Sequence, residues 1–232
     1  MTEPIALKLN GREFAQGGNR RCFVHPDDSA KCIKVAREDR TAEIRKRSAR
    51  FPYNLRPASY YDENWQERKA FLAIEKSVGL AAFELVPRYY GMVETDLGPG
   101  LCSELVRDSD NRISITLKQF VWQFGMTNPL SLKLEEFKSL WRDLGMPSRN
   151  LLLHNIVVQQ REKEIDRIVV IDGLGWPSFS TFIGKIPLLA QYKAGRKVTR
   201  MEHMVTSLLG TRSSGGDWGH HGWMDESARN TM

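Results

Sequence analysis

The chain has 232 residues, 41% of them hydrophobic and 27% charged, a globular composition sufficient for one domain or for one domain divided into two lobes. Lys and Arg number 34 against 28 Asp and Glu, a net charge of +6, which suits an acidic or phosphorylated partner without demanding one. No segment approaches the roughly 18 consecutive apolar residues of a membrane span, and Met1-Thr2-Glu3-Pro4-Ile5 does not open a basic-then-apolar leader.

The three cysteines, Cys22, Cys32 and Cys102, have neither metal-type spacing nor the density of a disulfide scaffold. A reducing cytoplasm is therefore the expected location. The densest basic run, Arg37 to Arg50, is interrupted by Glu38, Asp39 and Glu43, so it reads as a solvated face first and as a nucleic-acid or phosphate patch second.

In chain order, strands are expected over Ala6–Phe14, Arg21–His25 and Lys31–Val35, separated by Gly17-Gly18-Asn19 and by Pro26-Asp27-Asp28. A helix is expected over Asn64–Val78, ending near Gly79. Tyr90–Thr95 and Gly100–Val106 then form a hairpin about Leu97-Gly98-Pro99-Gly100. Arg107–Arg112 is polar and reads as a linker. Helices follow over Ser114–Phe124 and Leu130–Leu144, the second with an apolar face of Leu132, Leu134, Phe137, Leu140, Trp141 and Leu144. Two short strands, Ile156–Gln159 and Ile168–Ile171, flank a charged turn, and helical patterns close the chain over Ile186–Tyr192 and Val198–Leu209. The expected class is α+β. An antiparallel-sheet unit with one helix spans 1–107, a short, mainly helical unit spans 108–210, and a disordered tail spans 211–232, whose Trp218, His220, His221 and Trp223 could also meet a metal or a partner.

Four local features occur in an order that resembles the protein-kinase signature set. Gln16-Gly17-Gly18-Asn19 lies between two strands, as either a hairpin turn or a loop whose backbone N–H groups face phosphate. Lys31-Cys32-Ile33-Lys34-Val35 resembles the strand whose lysine meets the α- and β-phosphates. Lys34 then needs a helix carboxylate, with Glu67 the first candidate and Glu75 the second. Ser148-Arg149-Asn150-Leu151-Leu152-Leu153-His154-Asn155 keeps the spacing of H-R-D-x-x-x-x-N, with Asn155 in the position of a metal ligand. Asn150, however, occupies the place of the catalytic base, and an amide cannot accept a hydroxyl proton near pH 7. Ser148 replaces the usual histidine there, and Leu152 a lysine often found at that position. Finally, Ile168-Val169-Val170-Ile171-Asp172-Gly173 ends an apolar strand on a carboxylate, as either a turn cap or a Mg²⁺ ligand.

Several stretches carry a family resemblance: Arg21-Cys22-Phe23-Val24-His25-Pro26-Asp27-Asp28, Lys31-Cys32-Ile33-Lys34, Pro87 to Asp96, Ile113-Ser114-Ile115-Thr116-Leu117 and His154-Asn155-Ile156-Val157. Through them the chain, from about Gly17 to Leu209, resembles the PhoP regulatory network (YrbL-like) family, a small bacterial branch of the kinase-like superfamily. The resemblance implies a two-lobe kinase-like fold that binds ATP and Mg²⁺. It places Gly17, Gly18, Lys34 and Glu67 at the nucleotide, Arg149 and Asn150 at the catalytic loop, and Asn155 and Asp172 at the metal. The acceptor would be a protein, a sugar or an envelope-lipid precursor, and no A-P-E element points to a protein. Two alternatives stand beside this reading: a pseudokinase acting through a protein partner, and a small basic nucleic-acid-binding protein.

Overall fold

Alternating side chains on one strand build the first half of the molecule. In β3 (Asp28–Ala36), Ile33 and Val35 face a core with Leu9, Phe23 and Cys102, while Lys34 projects to the opposite face. The computed structural model describes residues 6–9, 11, 13–162, 164–176, 186–219 and 221–231. They divide into two units, one over Met1–Lys69, Arg88–Leu105 and Thr231–Met232, the other over Ala70–Pro87 and Val106–Asn230.

In the first unit, β1 (Ala15–Gln16), β2 (Arg20–His25) and β3 join β4 (Tyr89–Thr95) and β5 (Gly98–Glu104) in a five-stranded antiparallel sheet of order β1-β2-β3-β5-β4. Four of the five expected strands are present. Where a strand over Ala6–Phe14 was expected, Leu7 makes only an isolated parallel bridge to Thr95, and Ala15–Gln16 forms the edge. Asn10 and Arg12 lie outside the described residues. The basic run contains α1 (Ala42–Ser48), where Arg45 donates to the Tyr61 carbonyl at 2.6 Å and Arg37 pairs with Asp39, as befits a solvated, self-compensated surface. Helix α2 (Glu63–Val78) begins here, with Asp62 accepting from the Trp65 N–H at 3.0 Å.

Residues 70–87, expected with the strand unit, belong to the second one. Phe71 and Ile74 are buried, the Leu85 carbonyl accepts from Val170 N–H at 2.8 Å, and Arg167 donates to the Phe83 carbonyl. In this unit α3 (Leu117–Phe124) and α4 (Asn128–Asp143) pack on α5 (Pro187–Ser213), and β6 (Ile156–Arg161) pairs with β7 (Glu164–Val170). Helix α4 buries Leu130, Leu134, Phe137 and Trp141, whereas Leu132, expected in its core, is exposed. The two helical patterns expected at the end are one helix. The charged 193–197 stretch obscures a continuous buried stripe of Ala190, Ala194, Val198, Met201 and Val205, spaced for a single α-helical face. Among the described residues no helix is long and apolar enough to cross a membrane.

Two further expectations are corrected together. The presumed linker Arg107–Arg112 and the presumed tail meet in a buried network. Asp108 accepts from Ser114 Oγ at 2.6 Å and from Gln160 N–H at 2.9 Å, and pairs with Arg229 at 2.9 Å. Arg229 ends the short helix α6 (Glu226–Arg229) and also donates to the Ile113 carbonyl. Between α5 and α6, Trp218 packs edge-on against Trp122 and Trp223, and Gln119 exchanges two hydrogen bonds of 2.9 Å with the Met224 backbone. Few apolar residues mark this segment, so local composition resembles a tail. Most of its anchors are partners more than 100 positions away.

Burial pushes the Asp108 carboxyl above its usual range, against the Ser114 and Gln160 hydrogen bonds and the Arg229 charge that hold it down. Removing the arginine leaves that carboxylate buried without a counter-charge. Arg229→Ala is expected to lower the free energy of unfolding by about 3–5 kcal/mol, measured by urea denaturation. A loss below about 1 kcal/mol, the level of an exposed pair, would show that the contact does not hold the segment.

Candidate functional site

Lys34 reaches the face of the sheet that α2 covers, and its Nζ meets Glu67 Oε1 at 2.7 Å. The lysine is 8% and the glutamate 1% exposed, so the pair is desolvated and needs further partners. Arg20 supplies one, with Nη1 2.5 Å from Glu67 Oε2. Asn64 supplies the frame: its Nδ2 donates to the Lys34 carbonyl at 2.8 Å, and its Oδ1 accepts from Arg20 at 3.1 Å. Asn64 and Glu67 are three residues apart and so share one helix face. Beside Lys34, the Cys32 thiol is fully buried and contacts Ser103 Oγ at 3.4 Å, and burial raises its pKa. The expected choice of Glu67 over Glu75 as the lysine's partner agrees with this geometry.

Sequence reading overlooked Arg20 and Asn64. Register would have located the first: Arg20 pairs with Ala36 and Cys22 with Lys34, so Arg20 and Lys34 are diagonal neighbours on one face. The glycine loop joins β1 to β2. The Gly17 N–H donates to the Arg20 carbonyl at 2.8 Å, and neither Gly17 nor Gly18 has a positive φ or a close neighbour that would exclude a side chain. In this structure the loop is a hairpin turn.

The remaining candidates lie in the second unit. There the Arg149 N–H donates to the Gly173 carbonyl, the Ile171 N–H to the Asn155 carbonyl at 2.8 Å, and Ser148 bridges Leu174. These bonds draw 148–155 against 171–175. Gly173 is required at the meeting point: its φ is +77°, and an added Cβ would stand 3.0 Å from the Asn150 carbonyl and 3.5 Å from Asn155 Nδ2. Asp172 and Asn155 are half-buried, and Asp172 Oδ1 accepts from the Gly173 N–H at 2.6 Å. No group of three or more His, Cys, Asp and Glu gathers as a metal cage among the described residues. The Asp172 carboxylate and the Asn155 amide carry oxygen atoms, the donor type that Mg²⁺ takes. Ser148 Oγ and Trp141 Nε1 are buried without a hydrogen-bond partner.

Asn150 is exposed and is met by a residue that sequence reading did not single out. Lys197 of α5 donates to the Arg149 carbonyl and approaches Asn150 Oδ1 at 3.5 Å. Burial, followed by the charges of Arg200, Arg196 and Lys193, holds this ammonium below its ordinary pKa. The segment before α6 closes the other side of the loop. Thr116 donates to the Gly222 carbonyl at 2.6 Å, and a Cβ at Gly222, whose φ is +90°, would meet His154 Cβ at 2.6 Å. Burial, then His221 and Lys118, lowers the His154 pKa, while Asp172 raises it. His220 lies outside the described residues.

Fold and site together define an α+β protein with a buried lysine–glutamate–arginine cluster on its sheet and an Asn/Asp turn in its helical unit. The chain belongs to the family of the PhoP regulatory network protein YrbL, whose model matches residues 6–206. It is 29% identical over 170 residues to the "Uncharacterized protein YrbL" of Escherichia coli (strain K12), covering 68% of each chain. The protein of the same name from Shigella flexneri matches with the same figures.

Glu67→Ala should destabilise the protein by about 3–5 kcal/mol, because Lys34 loses its carboxylate in a desolvated place and Arg20 keeps the longer contact to Glu63, at 3.5 Å. Glu75→Ala, a change at an exposed position, should stay within about 0.5 kcal/mol. Equal effects of the two substitutions in chemical denaturation would contradict this assignment.

Proposed function

We propose that this protein binds ATP with Mg²⁺ in the manner of a protein kinase, with Lys34 meeting the phosphates and Asn155 and Asp172 the metal. The observation that carries the reading is the Lys34–Glu67 pair. A sheet lysine held by a helix carboxylate at 2.7 Å is the arrangement a kinase uses to present an ammonium to polyphosphate. In support, the 148–155 and 171–175 segments pair through the backbone, with Asp172 next to the Gly173 turn. A bound Mg²⁺ would neutralise phosphate charge. The chain's own residues hold the ammonium in place and present two oxygen donors.

Transfer of the phosphoryl group would depend on positioning and charge more than on a base. Asn150 cannot take a proton, so an active enzyme of this design would be slow. The same residue favours a second reading, a regulatory module that keeps the nucleotide and acts through a protein partner. Its exposed amide beside an ammonium offers no proton acceptor.

Thermal unfolding in millimolar ATP and Mg²⁺ tests the nucleotide site. Ligand at one hundred times Kd stabilises by about 2.7 kcal/mol, and that gain should vanish in Asp172→Ala. No change in Tm for the wild-type protein would end the nucleotide reading. Asn150→Asp separates the two readings: it should raise ATP turnover by about 10²-fold or more if the missing base limits the chemistry. Turnover at background in both proteins would favour the regulatory module.

A further inference from the structure

Helix α5 carries Lys193, Arg196, Lys197 and Arg200 at spacings i, i+3, i+4 and i+7, which places four cations on one face. Like charges at these spacings repel, so the arrangement weakens the helix unless something compensates it. Nothing in the protein does so: among the described residues, no carboxylate lies within ion-pair distance of any of the four. Several other surface cations of this unit are paired, Lys133 with Glu136, Arg142 with Asp143, Arg112 with Asp110 and Arg161 with Asp166. The one carboxylate of α5, Glu202, pairs with Lys138 of α4.

Three of the charges act on the fourth. Lys197 is half-buried, and after burial the largest influences lowering its pKa are Arg200, Arg196 and Lys193. Its Nζ is anchored to the Arg149 carbonyl and lies 3.5 Å from Asn150 Oδ1, so the positive field is centred on the residue standing where a kinase has its base. An ammonium held by two oxygens at a fixed place differs from a solvated lysine, whose head moves freely in water. The leucine at position 152 leaves the loop itself without a cation there, and α5 brings one from outside.

We propose that Lys193, Arg196, Lys197 and Arg200 form an anion-binding site beside Asn150 that takes a phosphorylated small molecule, the acceptor or effector of this protein. That the anion is an acceptor rests on the phosphotransfer reading; that it binds does not. A compact phosphomonoester fits better than a nucleic acid, because the field converges on one anchored ammonium at a loop.

Glucose 6-phosphate is the probe, with glucose as the neutral control, measured by isothermal titration calorimetry on the full chain without ATP. Binding is expected in the millimolar range or tighter, absent for glucose, and weakened about tenfold or more in Lys197→Met, the loss of one charge-assisted hydrogen bond. Because Lys197 also holds the 149–150 loop, the double variant Lys193→Gln/Arg200→Gln, which leaves that contact intact, should weaken binding too. Lys133→Gln, a paired lysine elsewhere, should not. Wild-type affinity in both the Lys197 and the double variant, or no binding of the probe at all, overturns the proposal. Tighter binding of a 12-nucleotide DNA strand with a steep salt dependence shared by these variants overturns it as well, in favour of a nucleic-acid surface. If glucose 6-phosphate binds but Mg²⁺–ATP does not, the nucleotide reading fails and the anion site stands.

Discussion

A single carboxylate, that of Glu67, makes the sheet unit possible in its present form. Lys34 and Arg20 are both nearly out of solvent, and each would be intolerable there without a counter-charge. Glu67 meets both, and Asn64, one turn earlier, ties the same helix face to the backbone of β3 at Lys34. Buried ion pairs of this kind add little net stability compared with an apolar core, but they fix geometry, since every alternative leaves a charge unpaired. Here the fixed geometry is the position of one ammonium, and the functional proposal depends on that.

The helical unit follows the same logic with backbone groups in place of side chains. Bonds from Arg149 to Gly173 and from Ile171 to Asn155 bring two loop segments together, and only a glycine can occupy the contact at 173. The segment between α5 and the end of the chain then backs the loop through Gly222 at His154, held in turn by Gln119, the tryptophan cluster and the Asp108–Arg229 pair. The family match ends at residue 206, and Trp218, Gly222, Met224 and Arg229 lie beyond it.

Around Asn150 the balance of charge is the reverse of that around Glu67. Glu67 serves two cations in the sheet unit, whereas among the described residues no carboxylate lies within ion-pair distance of the four cations of α5. Like charges at these spacings repel, and on the proposed reading a bound anion would compensate them.

Much of this was legible in the residues. Turn residues at Gly17-Gly18-Asn19 and Pro26-Asp27-Asp28 bounded the strands about Phe23 and Ile33, helical spacing announced α2 and α4, and the order of Lys34, Glu67, Asn155 and Asp172 pointed to a chemistry before any geometry was known. These are local or ordered signals, and they survive in one dimension. What the sequence hid depends on register and on distant pairing: Arg20 diagonal to Lys34, the continuous α5 beneath a charged stretch, Lys197 over Asn150, and Arg229 closing on Asp108 across 121 positions. A polar stretch such as 107–112 looks like a linker until its partner is known, because the free energy of a buried charge is set by what stands opposite it. Sequence determined which residues could carry charge and where the chain would turn; only the tertiary structure decided which charges stand opposite a partner, because pairing depends on distances between positions far apart in the chain.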